Sequence, residues 1–175
     1  MSKKIFLGGF LICLILVLAG LIVYKALHKK VPADFPTVMP SFELITPNNE
    51  LFSSDSLAAG KIVLLFYSPD CLFCKHEGRE LANHAADFTD SRLLFVTCAH
   101  KDSAAVYTLR TGIDTIPHFV SLVDTAHLTI RLFRLRTIPT TLLYDQNRKL
   151  IRGFEGEVNA AKLHKTIREY ESQEE

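Results

Sequence analysis

The chain has no tryptophan, only four cysteines, and no surplus of charge of either sign: 20 Lys plus Arg stand against 19 Asp plus Glu, for a formal net charge of +1. Balanced charge removes the global electrostatic case for nucleic acid as a partner. Four cysteines in 175 residues are too few to staple a disulfide miniprotein, so they carry information only through position. With 8 Gly and 7 Pro the chain is not low-complexity filler, and 48% hydrophobic against 22% charged residues excludes a disordered acidic or basic chain. The length holds one ordinary domain with an appendage and excludes two full catalytic domains.

One feature is present in excess. Residues 5–24 run without a charge, and at about 1.5 Å rise per residue such a helix spans the roughly 30 Å hydrocarbon layer. We expect a flank at 1–4, a transmembrane anchor at 5–24 and membrane lipid as its partner. A cleaved signal peptide is the alternative. The run exceeds the about 7 to 15 residues of a typical h-region, and Lys25, His28, Lys29 and Lys30 follow it in place of a small-residue cleavage site. Cys13 follows Ile12, where small residues would precede a lipidated cysteine, so it reads as inert. Lys3 and Lys4 on one side nearly balance Lys25, Lys29 and Lys30 on the other, and charge does not set the orientation. Residues 25–37 form a tether, with Pro32, Pro36 and Pro40 stiffening the stretch around its end. Residues 38–175 are then the soluble domain.

Lys61 to Tyr67 is a nearly continuous apolar run of β-formers, the pattern of a strand covered on both faces. After Ser68-Pro69-Asp70, the residues Cys74, Leu81, Ala85 and Phe88 recur at helical spacing. Arg92 to Cys98 reads as a second strand, and Asp102 to Arg110 as a helix with Val106, Leu109 and then Ile113 on its apolar side. Alternating strands and helices imply parallel pairing. His118 to Val123 reads as a strand. Ala126 to Arg136 fits both helix and strand, and we read it as helix. Thr140 to Tyr144 and Lys149 to Phe154, joined by Asp145-Gln146-Asn147-Arg148, predict a hairpin. A last helix turns Ala160, Leu163, Ile167 and Tyr170 inward.

Cys71-Leu72-Phe73-Cys74 falls where a strand ends and a helix begins. Two cysteines three apart across a first turn can bring their sulfurs together, and unpaired N–H groups and the helix dipole favour a thiolate at the first. Cys71 is then the nucleophile and Cys74 the resolving thiol. A structural zinc site would need about four ligands, and no second CxxC exists; His76 and His84 complete no familiar spacing. The second element is Thr137-Ile138-Pro139-Thr140. Proline there removes a ladder donor, so it belongs at a strand start or in a special turn, where a cis bond is one option. Thr115-Ile116-Pro117 competes, but only Pro139 is followed by strand, turn, strand, Gly153 and a terminal helix.

These residues resemble the thioredoxin superfamily, and within it the membrane-anchored TlpA/ResA-like thiol-disulfide oxidoreductases. The resemblance rests on Pro40-Ser41-Phe42-Glu43-Leu44, Gly60-Lys61, Ser68-Pro69-Asp70-Cys71 with Cys74, and Thr137-Ile138-Pro139-Thr140 with its hairpin. It implies an α/β thioredoxin-like fold, a central mixed sheet flanked by helices, carried on an N-terminal transmembrane helix. It also implies a cis Pro139 facing the CxxC, with Ile138, Pro139 and Thr140 lining the client groove, and an inserted strand and helix at about Thr111 to Arg134. Asp70 stands where thioredoxins carry Trp, and Leu65 where they carry a buried Asp. Glu77 matches the glutamate of ResA-like proteins, and by spacing it shares a helix face with Cys74. A buried carboxyl there would shuttle the Cys74 proton.

Lys75, His76 and Arg79 read as the solvated face of that helix, and so do Arg131, Arg134 and Arg136 before the proline loop. Cys98 reads as a buried small hydrophobe. The expectation is an anchored oxidoreductase whose only cofactor is the Cys71–Cys74 disulfide, with no metal. Its partners would be a disulfide-containing client, with cytochrome c maturation as one setting, and a transmembrane electron donor. The domain would face the periplasm or cell exterior. Two alternatives remain. A copper- or zinc-binding module on the same fold is one. The other is a peroxiredoxin, whose PxxxTxxC pattern would need proline where Leu64 stands.

Overall fold

A computed structural model describes residues 34–174 and the single residue Val17, so the expected anchor, its flank and all but the last four residues of the tether lie outside the described residues. Among the described residues no helix is long and apolar enough to cross a membrane.

Strand β3 (Lys61–Phe66) lies inside a seven-stranded sheet that has β1 (Glu43–Ile45) and β2 (Leu51–Ser53) as a hairpin at one edge. Every residue of β3 from Ile62 to Phe66 is buried. Its alternation divides two cores: Val63, Leu65 and Tyr67 enter one, while Ile62, Leu64 and Phe66 enter the other. On one side β3 pairs in parallel with β4 (Ser91–Thr97), which pairs in parallel with β5 (Phe119–Val123). On the other side it pairs antiparallel with β6 (Thr140–Tyr144), followed by β7 (Leu150–Glu155). The sheet order is β2-β1-β5-β4-β3-β6-β7. This is the thioredoxin-like α/β arrangement with a mixed sheet.

Helices α1 (Leu72–Asn83) and α2 (Lys101–Thr111) cross between the parallel strands. With the terminal helix α4 (Ala160–Glu174), they cover the face whose core holds Cys74, Leu81, Tyr107, Leu163 and Ile167. The opposite face is closed by Phe42, by Phe133 at the end of the short α3 (Leu128–Leu132), and by Phe35 and Met39. The 126–136 stretch is therefore helical over only five residues.

Helix α2 differs from its expected orientation. It buries Ala104, Tyr107 and Thr111 and leaves Val106 47% and Leu109 75% exposed. The Tyr107 ring stacks on Tyr67 with centroids 4.1 Å apart, and that contact sets the buried side. Gly112, at φ 75°, stops the helix, so the buried Ile113 lies in a separate turn off the helical period. Likewise α1 ends at Asn83, and Phe88 reaches the core through a short 3-10 turn.

Phe35, assigned by sequence to the tether, is only 8% exposed and packs over Gly153, where any side chain would collide with its ring. The same segment is tied to the β6–β7 turn: Met39 N–H donates to the Arg148 carbonyl and Leu150 N–H to the Thr37 carbonyl, each at 2.8 Å. The buried Asp145 holds that turn, accepting from the amides of Asn147 (2.9 Å) and Lys149 (2.7 Å) and from the Tyr170 hydroxyl at 3.0 Å.

Candidate active site at the first turn of helix α1

Beyond β3, Ser68-Pro69-Asp70 turns the chain, with Cys71 N–H donating to the Ser68 carbonyl at 3.1 Å. Cys71 is the N-cap of α1, with extended backbone (φ −71°, ψ 123°). Its Sγ accepts the Cys74 N–H at 3.2 Å, the bond a serine or aspartate oxygen makes at ordinary helix starts. Such a bond strengthens when the acceptor carries negative charge. Cys71 is half-buried, Cys74 is fully buried, and both thiols are free. Leu72 (75% exposed) and Phe73 (61%) project beside them.

Burial pushes the Cys74 thiol far above the usual thiol range, and its hydrogen-bonded neighbour Cys71 and the nearby Glu77 add to the rise. Glu77, one turn on, is fully buried. Burial raises its carboxyl to about 7 despite two donors that favour the carboxylate, and Glu157 contributes a further rise. Those donors are the Thr141 hydroxyl, 2.5 Å from Oε1, and the Val158 N–H, 3.4 Å from Oε2. Glu157 itself pairs with His76 on the solvent side. The Tyr107 hydroxyl donates to the Cys74 carbonyl at 2.7 Å. Burial raises Tyr67 to about 12 and Tyr107 further, so both phenols are neutral where they border the cysteines.

The 137–140 segment reaches this site through register. Thr140 pairs with Phe66 across β3 and β6, which sets Pro139 beside the turn that leads to Cys71. The Ile138–Pro139 bond is cis, Pro139 and Thr140 are buried, and Ile138 is 43% exposed. Thr140 Oγ1 donates to the Thr137 carbonyl at 2.7 Å, and the Gly156 N–H to the Pro139 carbonyl at 2.9 Å. Sequence reasoning missed Thr141, Val158 and Tyr107. For Tyr107 a signal existed in Gly78, a glycine inside a helix, where a Cβ would come within 2.5 Å of the Tyr107 oxygen. Among the described residues no three or more His, Cys, Asp or Glu side chains converge to hold a metal ion. Cys98 is part-exposed at the end of β4, its thiol raised by burial and by Asp124.

The thioredoxin-like domain family matches residues 56–171. No curated relative matches in sequence. Among solved structures, the chain is similar to a secreted *Mycobacterium tuberculosis* disulfide oxidoreductase homologous to *E. coli* DsbE, at 18% identity and a TM-score of 0.64 over 72% of this chain and 93% of that one. It is also similar to StoA from *Bacillus subtilis*, at 19% identity and 0.59 over 75% and 99%. A third is the peroxidoxin BcpB from *M. tuberculosis*, at 20% identity and 0.66 over 77% and 96%. Likeness at this level of identity shows the fold.

Proposed function

Because the chain belongs to the thioredoxin-like domain family, we propose that it is a thiol-disulfide oxidoreductase working through Cys71 and Cys74. The observation that carries this reading is the asymmetry of the pair. One sulfur is accessible and capped by an N–H, while the other is buried, held protonated, and next to a carboxyl that titrates near neutrality.

In the reducing direction the Cys71 thiolate attacks one sulfur of a client disulfide. A Cys71–client disulfide forms, the client's S–S bond breaks, and the other client sulfur leaves as a thiolate and takes a proton. Cys74 then loses its proton to Glu77 and attacks Cys71 Sγ. The second client sulfur departs as a thiolate and is protonated, leaving the client as a dithiol and Cys71–Cys74 as a disulfide. Two electrons have passed to the client, and a donor must return two to reset the pair. No cofactor beyond that disulfide enters the scheme. Ile138, exposed beside the buried Pro139 and Thr140, presents the surface that receives the client.

In the fuller reading, residues 5–24 anchor the protein in the inner or plasma membrane, with the domain facing the periplasm or exterior. The donor is a transmembrane protein and the clients are envelope proteins, with apocytochrome c among the candidates. Leu72 and Phe73 lack the histidine that strong oxidants place between their cysteines, which favours a reductase. The test is a redox titration scored by thiol alkylation and mass spectrometry, since the chain has no Trp for fluorescence. A two-electron midpoint near the about −270 mV of thioredoxin supports a reductase, and one near the about −120 mV of DsbA reverses the direction. A pair that does not titrate overturns the reading. The peroxidoxin likeness supplies a second reading, tested by peroxide consumption. Against it, Leu64, where the peroxiredoxin proline would stand, is fully buried in mid-strand.

A further inference from the structure

Helices α1 and α2 follow strands paired in parallel, so both begin at the end of the sheet that carries Cys71. Between them lies a groove of about 410 Å³ that opens at Pro69 and Asp70, directly before Cys71. Lys75 and Arg79 line it from α1, and Val106 and Arg110 from α2. Among the described residues, none of the groove's three cations, Lys75, Arg79 and Arg110, has an ion-pair partner.

The groove is also polarised. Its carboxylates, Asp70 and Asp102, sit at the helix starts by the cysteines, and Asp102 lies 3.3 Å from the His100 ring. Arg79 and Arg110 sit toward the helix ends. A basic far end and an apolar Val106, 47% exposed, suit a peptide with acidic side chains better than a bare inorganic anion.

Distance sets the register. At about 1.5 Å per helical residue, Lys75 and Arg79 lie roughly 6 and 12 Å along the axis from Cys71. An extended peptide advancing about 3.3 Å per residue covers that span in about two to four residues. We propose that this groove docks an acidic segment of the client, placing Asp or Glu about two to four residues from the client cysteine that Cys71 attacks. This inference rests on the oxidoreductase reading and names a client class for it.

The test uses the purified full chain in uncharged detergent, reduced at Cys71 and Cys74. The probes are two synthetic peptides of about nine residues with one cysteine in a mixed disulfide with 2-mercaptoethanol. One carries Asp at the second to fourth positions on both flanks of the cysteine, and the other carries Asn there. The readout is the ratio of their second-order rates within each protein. We expect the Asp peptide to react about tenfold faster at low ionic strength, with the advantage collapsing at about 0.5 M NaCl. In Arg79→Glu/Arg110→Glu the ratio falls below one. A ratio of one in the wild type, or one unmoved by the double substitution, overturns the docking proposal. Small neutral bis(2-hydroxyethyl) disulfide separates the two failures. If the wild type does not reduce it, the oxidoreductase reading falls and this inference with it; if it does while the peptides react alike, the groove alone is refuted.

Discussion

The Tyr107 hydroxyl donates to the main-chain carbonyl of Cys74 at 2.7 Å, tying the middle of α2 to the first turn of α1. The approach is possible only because residue 78 has no side chain. Cys74 is thus held from behind by a neutral phenol rather than by its own helix alone.

That relationship predicts the sign of a glycine substitution. Ala in a helix interior ordinarily stabilises by about 1 kcal/mol over Gly. Here the new Cβ would stand 2.5 Å from the Tyr107 oxygen, an overpacking that costs about 1 to 3 kcal/mol, so Gly78→Ala destabilises. In a Tyr107→Phe background, where the colliding oxygen is gone, the same change costs less. Urea denaturation of the four proteins of this cycle measures the coupling.

Glu77 makes stability fall with rising pH. Its carboxyl titrates near 7 when folded against 4.5 as a free group, so across that window the folded chain keeps a proton the unfolded chain has lost. The contribution is fully present below about pH 4.5, declines by roughly 3 kcal/mol on the way to 7, and is level above. Glu77→Gln lacks this decline, so urea midpoints at pH 4.5 and pH 8 differ less in the variant than in the wild type. The rate of Cys74 attack loses its inflection near pH 7 and drops roughly 100-fold at neutral pH.

The cysteines separate under trapping. Cys74→Ser accumulates a mixed disulfide on Cys71 that non-reducing electrophoresis resolves, and Cys71→Ser forms none. In the native wild-type dithiol, alkylation followed by mass spectrometry finds Cys71 modified before the buried Cys74.

Gly153→Ala, far from the cysteines, is expected to destabilise by about 1 to 3 kcal/mol through collision with the Phe35 ring. Phe35→Leu reduces that penalty. Thermal unfolding of the single and double variants checks both statements.

Strand β3, the hairpin and α4 were legible because their apolar patterns are long and match a single period. The site was legible at Cys71 and Cys74 for the same reason, since strand end, turn and helix start converge on the motif. The Glu77 side was legible from helical spacing, but its partners were not. Thr141 is a β-former among β-formers, and only the β3–β6 register places it over Glu77. Helix α2 misled because Val106 and Leu109 are apolar and yet face solvent, while the buried side is built on a tyrosine and a threonine. Phe35 was concealed by the prolines around it, which describe an extended backbone equally well in a free tether and in a packed strap.

The strap of residues 35–39 has a mechanical consequence. It is fastened to the β6–β7 turn through Arg148 and Leu150, whereas Pro139 and Thr140 lie at the other end of β6. Tension along this segment meets the Asp34–Arg134 pair first and then that turn, which Asp145 and Tyr170 brace against α4. Load on the strap is thus shared between the turn at one end of β6 and, through Arg134, the segment that leads into Pro139 at the other.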